Sequence, residues 1–213
     1  MMRDSLTIVF ETHATSLDNE AGLASGHFDV DLSPRGVEQA RELGERYPTG
    51  SLDLVVTSDL RRASRTAEIA FGTRFRHEVD ARVRECDYGE LTRRPVAEVD
   101  AWRRRAVCAP FPGGESYAQA TERFRACLAD LWSRLELGRV LVIGHRATGL
   151  ALEHLLKGVP LDEAVVAPWQ WQPGWTYEVS ESSVSTPIRR SACGDRPAAT
   201  GQHEDDRRLL RDR

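Results

Sequence analysis

Long apolar runs and an excess of positive charge are both missing from this sequence. No apolar run approaches the roughly 20 residues that a helix needs to cross a bilayer. The N-terminal segment has only a five-residue apolar run, Leu6 to Phe10, before polar residues follow, so we expect no secretory signal. The formal net charge of −4 argues against nucleic acid or an anionic membrane as the main partner.

Cysteine is also scarce, and its spacing excludes several classes of site. The four cysteines, Cys86, Cys108, Cys127 and Cys193, form no CxxC pair and no metal-knuckle pattern. We therefore expect reduced thiols in a cytoplasmic protein. Two histidines that stand out below, His13 and His145, lack the carboxylate and cysteine spacings of a zinc or two-metal centre, so we expect no metal and no cofactor.

The length and composition of the chain are typical of one globular domain followed by a polar tail. The chain has 213 residues, of which 40% are apolar and 29% charged, close to the average of soluble domains. After Ser180 large apolar residues become rare and charges frequent. We predict a domain over residues 1–180 and a disordered tail over residues 181–213, with folding of the tail on a partner as the alternative.

Short apolar runs alternate with helical patterns along the domain. Runs at Leu6 to Phe10, Leu52 to Thr57 and Arg139 to Ile143 predict buried strands, and each precedes a segment with helical spacing of apolar residues. Further short strands are predicted around Val165 and at Thr176 to Val179. This order predicts a three-layer α/β/α sandwich with a mostly parallel central sheet.

Side chains that can take part in catalysis follow these strands. Ligands of open α/β sheets bind beyond the carboxyl ends of the strands, and His13, Arg62 and His145 lie just after the three predicted strands. Glu85 lies in a loop-like stretch with Gly89. A neutral imidazole can attack phosphorus, a guanidinium can bind phosphoryl oxygens and a carboxylic acid can protonate a leaving oxygen. The pattern indicates phosphoryl transfer.

Six motifs in order resemble the histidine phosphatase superfamily, the phosphoglycerate mutase-like enzymes, from the first strand to about Val179. They are Thr12-His13-Ala14-Thr15-Ser16 with Asn19, Ser25-Gly26-His27-Phe28-Asp29 with Leu32-Ser33-Pro34-Arg35-Gly36, Ser58-Asp59-Leu60-Arg61-Arg62-Ala63 with Thr66-Ala67-Glu68, Arg84-Glu85-Cys86-Asp87-Tyr88-Gly89, Pro112-Gly113-Gly114-Glu115-Ser116, and Val142-Ile143-Gly144-His145. Each motif is short, but their shared order makes the resemblance specific. It implies a phosphoglycerate mutase-like fold.

The resemblance also implies roles for particular residues. His13 would be the nucleophile that becomes phosphohistidine, and Arg62 would hold the phosphate. Glu85 would be the general acid and later the base, and His145 would stabilise charge on the transferring group. On the substrate side the family pattern implies Asn19, Ser25 and Gly26. The remaining histidines match no functional position and are interpreted as structural: His27, His77, His154 and His203.

The chain departs from the family pattern at the pocket. Thr12 replaces the arginine before the nucleophile, Ala14 replaces a glycine, and Arg146 replaces the glycine after the second histidine. Losing a charge-assisted arginine contact costs about 1.5–3 kcal/mol of phosphate binding. We hypothesise that Arg146 compensates by reaching over the phosphoryl oxygens. The alternative is that Arg146 points into solvent or pairs with a carboxylate such as Glu153.

The sequence therefore predicts a phosphoric monoester hydrolase that acts on a small phosphorylated metabolite through phosphohistidine at His13, with Thr12 and Arg146 on the substrate side. A non-catalytic or changed-reaction member of the same fold is the main alternative. An isomerase of the phosphoglycerate mutase type would need a cap, for which residues 93–112 look short. A homodimer remains open.

Overall fold

The computed structural model describes residues 6–134, 138–168, 170 and 172–185. Within these ranges the strands are β1 (Leu6–Thr12), β2 (Leu54–Thr57), β3 (His77–Val79), β4 (Gly138–Gly144) and β5 (Trp175–Val179). The helices are α1 (Leu17–Glu20), α2 (Pro34–Arg46), α3 (Arg61–Phe71), α4 (Val96–Trp102), α5 (Tyr117–Arg134), α6 (Arg146–Lys157), α7 (Leu161–Val166) and α8 (Glu181–Ser185). Three short 3-10 helices cover Ala81–Val83, Gly89–Leu91 and Arg105–Val107.

The five strands form one sheet in the order β3-β2-β4-β1-β5. Strands β3, β2, β4 and β1 are parallel to their neighbours, whereas β5 pairs with β1 in the antiparallel direction. In the central pair, Leu6 lies opposite Gly138 and Thr12 opposite Gly144. The predicted, mostly parallel sheet is confirmed. Strand β3 was not predicted because its three residues, which are not fully buried, carry no apolar run.

Helices cover both faces of this sheet, which confirms the three-layer sandwich. Alternate strand residues point to opposite faces. Phe10 and Val142 pack on the α5 and α6 side, together with Leu128. Val9 and Leu141 belong to a second core on the α2 and α3 side. The central strands are therefore buried on both faces, as their continuous apolar sequence requires.

The prediction of a strand around Val165 is wrong, because this segment forms helix α7. Leu161, Ala164 and Val165 are buried, and their spacing places them on one helical face. Pro160 precedes the first helical residue. A short run such as AVV fits a buried strand as well as one buried turn of helix, and tertiary packing decides between them.

The tail predicted from residue 181 begins with ordered structure. Helix α8 covers Glu181–Ser185, its Val184 is buried, and the Val184 carbonyl accepts a 2.7 Å hydrogen bond from Arg125 of α5. Packing of one apolar residue extends the domain beyond the predicted boundary. Residues 186–213 lie outside the described residues, so the disorder predicted for them stays a prediction.

Two further sequence expectations concern location. In the part of the chain that the structure describes, no helix is both long enough and apolar enough to cross a membrane.

Cys86 and Cys127 are free thiols, as expected. The expectation of a reduced thiol is wrong for Cys108, which is disulfide-bonded, because linear spacing does not show which sulfurs approach one another. Cys193 lies outside the described residues, and the cytoplasmic location stays a prediction.

Helix α2 approaches the loop after β1 very closely at Gly36. A Cβ atom at Gly36 would lie 2.0 Å from the carbonyl oxygen of Thr15. The amide of Ser33, which caps α2, also donates to that oxygen at 3.0 Å. The glycine thus allows α2 to contact the backbone that follows His13.

We predict that Gly36→Ala lowers the free energy of unfolding by about 2 kcal/mol, because a backbone clash must be relieved by movement. Alanine normally stabilises a helix interior relative to glycine by about 0.5–1 kcal/mol, so the sign of the effect is informative. Urea denaturation of the variant and of Glu45→Ala, an exposed control on the same helix, measures it. A Gly36→Ala protein as stable as the parent would contradict the close approach.

Candidate active site

The parallel pairing of β1 and β4 brings two histidines together. His13 and His145 follow the last residues of these strands, and the His13 amide continues the ladder with a 3.0 Å bond to the Gly144 carbonyl. Their ring centroids are 5.0 Å apart, with an angle of 54° between the ring planes. The two histidines therefore lie close together at the carboxyl edge of the sheet, as predicted.

One hydrogen bond orients the imidazole of His13. Its Nδ1 lies 2.7 Å from the carbonyl oxygen of Ala14. A carbonyl only accepts, so Nδ1 carries the proton and Nε2 of the neutral ring has a free lone pair. Burial, and then the positive charge of Arg62, lower the pKa of His13 to about 3 although the Ala14 bond raises it. At neutral pH the ring is therefore uncharged, and Nε2 carries no proton.

Arg62 is fixed in the interior beside the histidines. Its side chain is 2% exposed, and it donates to the carbonyls of Gly26 at 2.8 Å and Phe28 at 3.0 Å. A guanidinium has five N–H donors, so these two bonds leave others for phosphoryl oxygens. Thr66, one turn further along α3, donates to the Arg62 carbonyl and accepts from the Ala14 amide. One hydroxyl thereby links the backbone of Arg62 to that of Ala14, the residue after His13.

The carboxylate of Glu85 lies at the N-terminus of α6. Its Oε1 accepts from the amides of Cys86 at 2.8 Å and Ala147 at 3.1 Å, and Oε2 accepts from the Arg146 amide at 3.2 Å. Because α6 begins directly after His145, these contacts place Glu85 at the same edge of the sheet as the histidine pair. Oε2 accepts only the longest of the three bonds, so it can form further hydrogen bonds.

His145 is bound by a residue to which sequence reasoning assigned no role. Ser58, directly after β2, lies with its Oγ 2.7 Å from Nε2 of His145. The ring is 1% exposed. Burial, followed by the charges of Arg62 and His13, lowers the pKa of His145 well below its usual value. Ser58 follows a predicted strand and begins the motif that contains Arg62, but its contact with His145 spans 87 residues, so local spacing did not reveal it.

The substrate-side residues predicted from the motifs take different positions. Thr12 and Asn19 line a cavity of about 490 Å³ together with His13. The Asn19 side-chain oxygen also accepts from the Ser16 amide and so closes the first turn of α1. Ser25 is buried, and Gly26 acts through its carbonyl, which holds Arg62.

Arg146 does not extend over His13. Its Nη2 donates to the carbonyl of Ala167 at 3.2 Å, so the guanidinium points towards the end of α7. Glu153, the alternative partner, accepts instead from Lys157 and Tyr177. Because α6 turns Arg146 away, its backbone amide contacts Glu85 while its side chain does not replace the missing arginine at position 12.

His27, which was predicted to be structural, contacts the backbone of Glu85. Its Nε2 lies 2.8 Å from the Glu85 carbonyl and therefore donates to it. It lies between Gly26 and Phe28, whose carbonyls hold Arg62. Within the described ranges no group of three or more His, Cys, Asp and Glu side chains could hold a metal ion.

Comparison with known proteins identifies the family to which this chain is similar. The family model described as histidine phosphatase superfamily (branch 1) matches residues 8–172. A probable phosphoglycerate mutase of Salmonella choleraesuis is 32% identical over 165 residues, which cover 72% of this chain and 74% of that protein.

Two solved structures are also similar to this chain. A mycobacterial glucosyl-3-phosphoglycerate phosphatase has a TM-score of 0.68 at 26% identity, covering 83% of this chain and 92% of its own. The α-ribazole phosphatase of Shigella flexneri has a TM-score of 0.67 at 25% identity, with the same coverage of 83% and 92%. The fold, the order of the motifs and the matched length agree, and the chain belongs to the histidine phosphatase superfamily.

Proposed function

We propose that this protein is a phosphatase that hydrolyses a small phosphorylated metabolite through a phosphohistidine on His13. The carrying observation is the orientation of His13, whose Nδ1 donates to the Ala14 carbonyl while its ring lies 5.0 Å from that of His145. This leaves Nε2 unprotonated in a buried site that also holds Arg62. Such an imidazole is ready to attack phosphorus without first losing a proton.

In the first step Nε2 of His13 attacks the phosphorus, the N–P bond forms and the bond from phosphorus to the leaving oxygen breaks. Glu85, protonated at Oε2, gives its proton to the leaving oxygen, which departs as an alcohol. The imidazole gains positive charge as it is phosphorylated. The bond from Nδ1 to the Ala14 carbonyl is 2.7 Å long and stabilises that charge.

In the second step water attacks the phosphohistidine on the side that the alcohol has left. The Glu85 carboxylate accepts a proton from this water, the P–N bond breaks, and phosphate and neutral His13 are released. Arg62 holds the phosphoryl oxygens during both steps, because positioning and charge stabilisation supply most of the catalysis in phosphoryl transfer. His145, bonded to Ser58, donates to the same oxygens.

Two of the similar structures are named glucosyl-3-phosphoglycerate phosphatase and α-ribazole phosphatase. These names support hydrolysis of a small phosphorylated compound as the reaction of this chain. The curated relatives at 32% identity carry the name probable phosphoglycerate mutase, which is the reason to test isomerisation as a second candidate. An isomerase must exclude water from phosphohistidine, and here the cap region contributes only α4 and one short 3-10 helix.

The proposal is tested by phosphate release from about a hundred phosphorylated metabolites and a chromogenic aryl phosphate. Hydrolysis should fall by at least about a thousandfold in His13→Ala and stay unchanged in His77→Ala, a histidine at the edge strand. Interconversion of 2- and 3-phosphoglycerate without phosphate release would support the isomerase instead. A folded protein inactive on every compound would contradict catalysis.

A second prediction concerns protonation. Because burial lowers the pKa of His13 to about 3, its imidazole should remain neutral at pH 5, where an ordinary histidine with a pKa of about 6.5 is protonated. Carbon-13 NMR of labelled histidine, assigned with His13→Ala, follows the ring shifts from pH 8 to pH 4.5. A titration midpoint near pH 6.5 for His13 would contradict this prediction, because it would show that burial does not lower the pKa of the ring.

A third prediction concerns Ser58. Replacing it with alanine removes the 2.7 Å contact that orients His145. One such bond is worth about 1 kcal/mol, so kcat/KM should fall about fivefold to tenfold, mostly in kcat. Ser64→Ala, a partly exposed serine on α3, is the matched control. Unchanged kcat in Ser58→Ala would remove Ser58 from the catalytic arrangement.

A further inference from the structure

Helix α2 lines the cavity of about 490 Å³ that also contains His13 and Thr12. Its contribution is a row of polar side chains spaced three or four residues apart, which are Arg35, Gln39, Glu42 and Arg46. Side chains at this spacing lie on one face of a helix. One polar face of α2 therefore shares a cavity with the proposed nucleophile.

The start of α2 is fixed against the loop that carries His13. The side-chain oxygen of Gln39 accepts a 2.9 Å hydrogen bond from the Thr15 amide, and Gly36 allows α2 to contact the Thr15 carbonyl. Arg35 lies in the same helix, directly before Gly36. Its backbone is therefore held next to a residue that follows His13 by only two positions.

Arg35 is the cation of this row that has no partner among the described residues. Arg46 donates to Glu11 at 2.8 Å, and because the Glu11 side chain is only 2% exposed, this arginine neutralises a buried carboxylate. Arg35 is exposed and forms no hydrogen bond or ion pair with another residue in the described part of the chain. A guanidinium has five N–H donors, so all of them remain for a ligand.

One carboxylate of the row, that of Glu42, would repel an anion. Glu42 follows Arg35 by seven residues, which is about 10.5 Å along the helix axis at a rise of 1.5 Å per residue. The contacts of α2 with Thr15 come from its beginning, whereas its contact with Glu11 comes from its last residue, Arg46. The end of the cavity that favours an anion is therefore the end at Arg35.

The phosphoryl group needs more positive charge than the residues assigned so far supply. A phosphate monoester carries almost two negative charges at pH 7. Burial, followed by the charge of Arg62, lowers the pKa of both His13 and His145, so neither ring is charged at neutral pH. Thr12 has a hydroxyl where the family pattern has an arginine. Without a further cation, one guanidinium, that of Arg62, would face a dianion.

We propose that Arg35 takes the place of the arginine that is missing at position 12 and binds the oxygens of the phosphoryl group that His13 receives. The cation then reaches the phosphoryl group from α2 and not from the end of β1. The inference rests on the proposed function and adds to it a catalytic residue to which the sequence motifs assign no role. Because negative charge is spread over the phosphoryl oxygens in the transition state, Arg35 contributes to kcat as well as to binding.

The test measures kcat/KM with the best substrate and the dissociation constant of inorganic phosphate. We expect Arg35→Ala to lower kcat/KM by about tenfold to a hundredfold and to weaken phosphate binding about tenfold, as for the loss of one charge-assisted contact. Arg41→Ala, an exposed arginine of α2 that does not line the cavity, is the control and should change neither quantity. Unchanged kcat/KM and phosphate affinity in Arg35→Ala would overturn the proposal.

A double-mutant cycle tests whether Arg35 replaces the missing arginine or acts elsewhere. Thr12→Arg restores the family residue, and in that background Arg35→Ala should lower kcat/KM by less than about threefold, because two residues that serve the same oxygens are not additive. An equal loss in both backgrounds would contradict the replacement. Circular dichroism checks that Thr12→Arg is folded. If it is not, recovery of Arg35→Ala by added guanidinium ion supports the proposal, and the absence of recovery contradicts it.

Phosphate binding separates failure of this inference from failure of the proposed function. If the protein hydrolyses no compound, the proposed function is wrong, and titration calorimetry with inorganic phosphate still decides on Arg35. Binding that is weakened in Arg35→Ala and retained in Arg41→Ala supports the contact without catalysis. Binding that is equal in the two variants, or absent from the full chain, overturns it.

Discussion

The hydrogen bond between Nδ1 of His13 and the Ala14 carbonyl is the contact on which the proposed chemistry depends. It selects the tautomer, directs Nε2 as the reactive atom and is formed within the loop that follows β1. That loop is itself fixed from three sides: the Gly144 carbonyl binds the His13 amide, Thr66 binds the Ala14 amide, and α2 contacts the Thr15 carbonyl where Gly36 allows it. Burial of the ring then keeps it neutral.

The charge of the site is unusually low for the family pattern. Thr12 supplies a hydroxyl where the pattern has an arginine, both histidines are held neutral, and Arg62 is the buried cation beside them. Arg146 does not restore the missing charge, because its guanidinium extends to Ala167. It lines a separate cavity together with Arg103 and Arg104.

The sequence was sufficient for the parts of the fold that local patterns encode. Continuous apolar runs identified β1, β2 and β4, and the rule that ligands bind beyond parallel strands placed His13, Arg62 and His145 at one edge. The sequence wrongly predicted a strand around Val165, because a three-residue apolar run is too short to distinguish a strand from a helix. It also did not predict β3. The contacts of Ser58 with His145, Thr66 with Ala14 and His27 with Glu85 span 52 to 87 residues, so no local spacing reveals them. The direction of Arg146 likewise follows from how α6 and α7 pack, and not from its neighbours in the chain.

In the proposed mechanism His13 reacts through Nε2 because Nδ1 is hydrogen-bonded to the Ala14 carbonyl. The most direct measurement is to mix the protein with the best substrate, quench the reaction in alkali within milliseconds, and determine the site and regiochemistry of phosphorylation by mass spectrometry and phosphorus NMR. We expect one phosphoryl group on His13, attached to Nε2. Phosphorylation at Nδ1 or on another residue, or turnover in which no phosphoprotein accumulates even when Glu85→Gln slows its hydrolysis, would contradict it.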